Sequence, residues 1–335
     1  MKRNGKTKST TTPGWGALAL IGVTGLTTGC GIFGGSDRLA GDLEYLPVPS
    51  DSDDDPSFHR VDAVDFEAVS ELTGHEQPEP GASEDEFRDW QGTLFGLQEE
   101  SADSAPIFVT LPGHQALTMT RETSVEDTAA QFGFSPLHMD RVSAYSGPAI
   151  YGVFEGDYEE ELLDAAYGEP SEAGVWDNNE PDSRERAGAV EIDGKIAFGG
   201  EETLQLADGD VETLADQDGA VAVAEAIDDN DWFWAVLVSG PYDLEDGAEV
   251  QWRGHSVWLE DETYTGHFYW YHSSSEDAEA NRELIETYLQ ELEQSWGIES
   301  LEMGVDNQLV TAEVDFTESP RAIQLAEQTL SPPFY

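Results

Sequence analysis

The chain has 335 residues, with 15 basic against 70 acidic side chains and a formal net charge of −55 at pH 7. Its 39% hydrophobic and 10% aromatic content supplies a core, which excludes an acidic disordered chain. No basic patch can form on such a surface, so direct binding to nucleic acid is excluded too.

The charge is unevenly spread. The first 29 residues hold four bases, Lys2, Arg3, Lys6 and Lys8, and no acid. Past them, 11 bases face 70 acids, a net −59, and Lys195 is the only lysine. Self-repulsion of this size strains a compact fold in dilute buffer. At roughly 1 M salt the Debye length falls to about 3 Å and most of it is screened. The balance predicts a halophilic, haloarchaeal source.

Residues 1–8 are basic, Trp15–Leu26 is a short apolar run, and Thr27-Thr28-Gly29 precede Cys30, the single cysteine. This layout predicts a cleaved signal peptide over 1–29. The ending "LTTGC" resembles the lipobox of prokaryotic and haloarchaeal lipoproteins, which implies lipid on Cys30 as the first mature residue. Thr27 stands where that motif usually has leucine. Lys2-Arg3 stands in place of twin arginines, so a Tat or a Sec route is left open. The apolar and small-residue run continues to Gly35, close to the ~20 residues of a span, so an uncleaved membrane helix is the alternative. A disulfide within the chain is excluded.

Residues 30–56 read as a lipid-anchored acidic tether, rich in glycine, proline and charge. Its "DSDDD" lacks the spaced ligands and turn glycine of a calcium loop. An N-terminal α/β segment is expected over 57–145. There "FHRVDAVDFEAV" reads as a strand entering a helix, "EDEFRDWQGTLFGL" as a helix, and "APIFVTLP" and "QALTMT" as strands. "TSVEDTAAQFG" reads as a helix from Ser124 to Gly133.

Two repeats follow, over 146–240 and 241–335. The first runs through a strand "PAIYGVF", a helix "DYEEELLDAAYG", a hairpin "AVEIDGKIAF", a helix "EETLQLADGDVETLA" and a strand "WFWAVLVSG". The hairpin turns on Asp-Gly, a strong signal because both central residues need positive φ. The second has a strand "YTGHFYWYH", a helix over 275–296, a hairpin turning on Asp306-Asn307 and a helix "SPRAIQLAEQTL". Its last strand is missing, or is supplied from near Phe58. The fold class expected is α+β, two ferredoxin-like (split βαβ) repeats with an N-terminal tether and α/β segment. In the long helix, Leu284, Ile285, Tyr288, Leu289, Leu292 and Trp296 make one apolar stripe.

"LEYLPVPSDSDDDPSFHRVD", "AIYGVFEGDYEEELLDAAYGE", "GGEETLQLADG" and "WYHSSSEDAEANRELIETYLQEL" together resemble a family of haloarchaeal surface lipoproteins. The similarity spans most of residues 40–318. It implies an exported lipoprotein of α+β fold without assigned activity, and it carries over no functional residue beyond Cys30.

No catalytic motif is present. Gly199-Gly200, between a strand and a helix, reads as a helix-entry turn rather than an anion nest. Of the seven histidines, only His267 and His272 are close, and their offset puts them on opposite strand faces. No metal site or cofactor is expected. With 70 acids, close carboxylate pairs arise by chance. The aromatic run over 232–271 is the most suggestive feature. Alternation puts Tyr264, Gly266, Phe268 and Trp270 toward the core, and Thr265, His267, Tyr269 and Tyr271 on the other face. His267, Tyr269 and Tyr271 are the candidate binding face, with a surface protein or a carbohydrate as partner and the membrane held through lipid on Cys30. One functional reading is therefore a non-catalytic, lipid-anchored binding or assembly module at the outer cell membrane. The other is an extracytoplasmic hydrolase using carboxylates.

Overall fold

Asp65 closes strand β1 (Arg60–Asp65), and its carboxylate accepts from the amide of Ala68 at 2.8 Å. The residue that ends the strand thus caps helix α2 (Phe66–Thr73). Gly74, at φ 67, stops that helix in the left-handed region. The computed structural model describes residues 38–48, 59–94, 129–130, 132–145, 151–171, 174–177, 188–242, 244, 247–260 and 263–316. The expected signal peptide, Cys30, the strands within 105–120 and the last helix lie outside them, as does the "DSDDD" run.

The other helices are α1 (Arg38–Asp42), α3 (Glu84–Leu94), α4 (Glu160–Tyr167), α5 (Glu201–Gln205), α6 (Asp218–Asp228) and α7 (Ser275–Trp296). The other strands are β2 (Arg141–Tyr145), β3 (Gly152–Glu155), β4 (Val175–Asp177), β5 (Gly188–Ile192), β6 (Lys195–Gly199), β7 (Trp234–Tyr242), β8 (Val250–Glu260), β9 (Thr263–His272), β10 (Ile298–Asp306) and β11 (Leu309–Phe316). The fold is α+β. Among the described residues, eleven strands join one antiparallel sheet, in the order β10-β11-β9-β8-β7-β1-β2-β3-β6-β5-β4, with β10 and β4 at its edges.

That order divides at the β1–β7 pair, where Asp62 lies opposite Val236. On one side come β1, β2, β3, β6, β5 and the short edge strand β4, and on the other β7, β8, β9, β11 and β10. Each half has three neighbouring antiparallel strands, then a crossover helix (α4 or α7), then a hairpin whose second strand sits next to those three; the first half adds β4, between α4 and the hairpin in the chain and at the sheet edge beside β5. The hairpin turns match as well: Asp193 has φ 54 and Asn307 has φ 53.

The strand after the first hairpin, β7, does not return beside β3. Strands β1 and β2 lie between them, because they belong to the first half's three neighbouring strands. Nor does the Phe58 region supply a strand beside β9, whose second neighbour is β8. The second hairpin turns on Asn307-Gln308, one place later than expected, since Asp306 still pairs with Leu309. The helix expected over "EETLQLADGDVETLA" breaks after Gln205 into a 3-10 turn that ends at Gly209, φ 71. Gly133, at φ 75, does stop the short helical stretch before it, with its amide on the Ala129 carbonyl.

Two apolar clusters sit on the sheet's two faces. Helices α2, α3, α4 and α7 cover one, over Phe66, Phe87, Trp90, Leu163, Phe268, Trp270, Ile285 and Leu289. The other lies under α6 and residues 38–48, over Leu39, Leu43, Val61, Val153, Val223, Ile227, Leu237 and Tyr269. Along α7 the inward positions are Ala278, Asn281, Ile285 and Leu289, while Leu284 is 38% exposed. Leu284 therefore falls outside the expected stripe, and Asn281 takes an inward place. The side chain of Trp296 lies outside the described residues.

Residues 38–48 are not free tether. Leu39, Leu43 and Leu46 are fully buried. The Val48 amide donates to the Glu212 carbonyl at 2.9 Å, and the Leu214 amide donates to the Leu46 carbonyl at 2.9 Å. A helix of five residues cannot hold itself in water, so these tertiary contacts fix it. We call this segment the strap.

Candidate functional site

Strand β9 alternates as its sequence requires. Tyr264, Phe268 and Trp270 are buried beneath the crossover-helix layer. On the opposite face, the three expected binding residues meet three different environments. Tyr269 is 3% exposed, packed in the cluster under α6. Its hydroxyl accepts from Asn230 Nδ2 at 3.0 Å, and burial pushes its pKa up. It is a core residue and not part of an open platform. The structural reason is helix α6, which the sequence reading did not place.

Tyr271 is half-buried and donates to Gln308 Oε1 at 3.3 Å. It lies beside Gly219 of α6, where a Cβ would collide with Trp252 and Tyr271. Glycine there lets the helix settle onto the aromatic pair. His267 faces Glu313, with Nε2 and Oε2 3.4 Å apart. Burial pushes its pKa down and Glu313 opposes that shift. His267, Glu313, Tyr271 and Gln308 therefore remain as a partly open polar margin, while Tyr269 is removed from it.

Asn281 of α7 links Ala248 to His272. Its Nδ2 donates to the Ala248 carbonyl at 2.7 Å and to His272 Nε2 at 2.9 Å, while its Oδ1 accepts from the Ala248 amide at 2.8 Å. An accepting Nε2 leaves the His272 proton on Nδ1, which donates to the Gln308 carbonyl at 3.2 Å. Burial pushes the His272 pKa down, which fits this neutral form.

The sequence reading missed the polar site under the strap. Asp42, 2% exposed, takes Lys195 Nζ at 2.7 Å and the Ser143 hydroxyl at 2.6 Å, with Arg141 at 3.5 Å. Lys195 also lies over the Tyr45 ring at 5.1 Å, and Tyr45 donates to Asp193 Oδ2 at 3.2 Å. Burial, then the Asp193 carboxylate, pushes the Tyr45 pKa up to about 12. At the other end, Asp228 accepts from the Leu39 and Ala40 amides and from Trp232 Nε1. Burial pushes the Asp228 pKa up, and those hydrogen bonds oppose it. Arg38 reaches Asp65 at 3.2 Å and the Asn230 carbonyl at 3.2 Å, with its guanidinium 4.5 Å over the Trp232 ring. The signal was present: Lys195 is the one lysine a chain otherwise stripped of lysine keeps past its first 29 residues.

The described residues hold seven bases: Arg38, Arg60, Arg88, Arg141, Lys195, Arg253 and Arg282. Five of these side chains are at most 17% exposed: Arg38, Arg60, Arg141, Lys195 and Arg253. Arg88 and Arg282 pair with acids one helical turn away. A cavity of about 420 Å³ is lined by Asp177, Glu201, Leu204, Gln205 and Asp208. Three carboxylates make its field negative. Among the described residues, no group of three or more His, Cys, Asp or Glu side chains is placed to hold a metal ion, and no helix is long and apolar enough to cross a membrane.

No protein-family model, curated protein or solved structure matches the chain. The site must therefore be judged on its own chemistry. It offers a strap clamped by scarce cations, and a margin of one histidine, one tyrosine, one amide and one acid.

Proposed function

We propose that the protein is a lipid-anchored, extracytoplasmic binding or assembly module of a halophilic archaeon. It is held to the membrane by lipid on Cys30 and meets a surface protein or a carbohydrate through the margin of His267, Tyr271 and Gln308. Each half is read as a ferredoxin-like split βαβ unit, enlarged by added strands.

The observation that carries this reading is the partition of charge. Five of the seven cations among the described residues are drawn inward, four of them onto Asp42, Asp62 and Asp65 and one onto the Tyr242 ring, while most of the acids stay at the surface. That surface keeps a hydrated shell in concentrated salt, and salt is what makes it tolerable. The test is unfolding monitored by circular dichroism between 0.1 M and 2 M potassium chloride, with the purified protein's mass measured for lipid. The proposal requires loss of structure on dilution and a lipid increment at Cys30. Equal stability at both salt levels removes halophily, and an unmodified Cys30 removes the anchor. Partner capture in 2 M potassium chloride, by unaltered protein and by Tyr271→Ala, tests the margin.

A further inference from the structure

The sheet has two edges, and the fold treats them differently. Strand β4 is three residues long, and its Val175 carbonyl accepts from the Ser171 amide at 2.9 Å. That edge is short and partly taken. Strand β10 is nine residues long and pairs with β11 on one side; among the described residues no strand pairs with its other side. Long edges are commonly blunted by lysine, proline or an inward-pointing charge. β10 has none of these: its inward side chains Leu301, Met303 and Val305 pack against the core.

Register decides which backbone groups face outward. The His272 amide donates to the Gln308 carbonyl at 2.9 Å. Gln308, Val310, Ala312 and Val314 therefore turn their backbone groups toward β9. Leu309, Thr311 and Glu313 turn theirs the other way, onto Asp306, Gly304 and Glu302 of β10. The amides and carbonyls of Leu301, Met303 and Val305 are left pointing away from the sheet.

This row is self-complementary. About a twofold axis at Met303, a second copy lays Leu301 opposite Val305 and Met303 opposite Met303, each as a hydrogen-bonded pair. Glu302 then faces Gly304, and Ser300 faces Asp306. Glu302 already faces Glu313 within its own hairpin, and like charges directly opposite destabilise a sheet. Sliding the copies so that Leu301 faces Met303 sets Glu302 against Glu302. Sliding them so that Met303 faces Val305 sets Glu302 against Asp306. The axis at Met303 alone pairs all three outward residues with one another and puts no acid directly opposite an acid.

We propose that β10 is a docking edge for a second copy of this chain, joined antiparallel about Met303 into one sheet that runs through both molecules. Acids diagonal across the junction stand about 7–8 Å apart, beyond the Debye length of about 3 Å at 1 M salt. The junction therefore forms in concentrated salt. Only salt is shared with the function proposed above; Cys30 and the margin play no part, and failure of the dimer in 2 M potassium chloride leaves the dilution test of halophily untouched.

The test uses the full chain carrying Cys30→Ser, so that every thiol is an introduced one. In 2 M potassium chloride its mass by light scattering should be that of two chains. Position 300 of one copy faces position 306 of the other in a non-hydrogen-bonded pair, with Cα atoms about 4.5 Å apart, a distance a disulfide spans. Two copies altered at the same position hold their thiols about 20 Å apart. Ser300→Cys and Asp306→Cys, both at exposed positions, should therefore give several-fold more disulfide dimer when mixed and mildly oxidised than either protein alone. Met303→Pro removes an outward amide that β11 does not use, so it should give a monomer with an unchanged circular dichroism spectrum. A monomeric mass in 2 M potassium chloride overturns the proposal. So does a dimer that cross-links no better in the mixture, whether or not Met303→Pro folds, and so does a folded Met303→Pro protein that stays dimeric.

Discussion

Replacing Asp42 with alanine isolates what holds the strap. The change removes the acceptor of two short hydrogen bonds, from Lys195 at 2.7 Å and Ser143 at 2.6 Å. Hydrogen bonds to a charged group contribute about 1.5–3 kcal/mol each. Breaking a buried ion pair from one side costs about 3–5 kcal/mol, because the other charge stays. Here Lys195 and Arg141 are 16% and 14% exposed. Arg141 keeps Glu155 at 2.8 Å, and Lys195 keeps the Tyr45 ring. The low end of that range applies, about 3 kcal/mol. Urea unfolding in 2 M potassium chloride, followed by tryptophan fluorescence, measures the total. Amide exchange over 38–48 measures the strap, and should rise before exchange in β7 does. Adding Lys195→Met should cost less than the sum of the single changes by at least about 1 kcal/mol, since the two residues form one unit. A loss under about 1 kcal/mol, with exchange over 38–48 unchanged, would refute the reasoning.

Gly219→Ala should destabilise by about 1–3 kcal/mol through overpacking against Trp252 and Tyr271, although alanine in a helix normally gains about 1 kcal/mol over glycine; a net gain in thermal unfolding would show that α6 can shift. His255 is fully buried, neither ring nitrogen has a hydrogen-bond partner among the described residues, and burial holds its pKa well below 6.5. The unfolded chain then binds the proton and the fold does not, so stability is complete above about pH 6.5 and falls as pH drops below it. His255→Phe should flatten that fall by up to about 1.4 kcal/mol per pH unit, read from urea midpoints between pH 5 and 7; an unchanged slope contradicts it. Tyr269→Ala should cost about 3–5 kcal/mol as a buried aromatic, whereas Tyr271→Ala, half-buried at the margin, should cost clearly less; equal losses in thermal melts would place both in the core.

Legibility followed local chemistry. The run into α2 was readable because Asp65 both ends a strand and caps a helix. The Asp193-Gly194 hairpin was readable because its turn demands positive φ. The alternation over 264–271 was readable because Tyr264, Phe268 and Trp270 share one parity, while Thr265 and His267 fall on the other. Strand β8 was not, since it turns Arg253 and His255 inward and breaks the apolar pattern with Gly254. Helix α6, "DGAVAVAEAID", has small residues on all sides, so no stripe marks it. The strap reads as linker between a glycine run and an aspartate run; only the distant partners Lys195, Ser143 and Asp228 make it a fixed element. That error spread to the site, because α6 buries Tyr269 while the strap decides what is tether. The repeat was seen short for a similar reason: β1 and β2 belong to the first half, but they stand far from its hairpin in the sequence.

Strand β1 meets β7 as one subunit meets another across a shared sheet, and the two halves carry like charge. As separate molecules they would have to collide against their own repulsion, at a rate set by concentration and salt. Joined through residues 200–233, they meet at an effective concentration fixed by the chain itself. The central seam therefore does not weaken as the protein is diluted. What dilution of salt does weaken is the tolerance of each half for its own surface. Salt and concentration, entangled in an oligomer, should act separately on this seam.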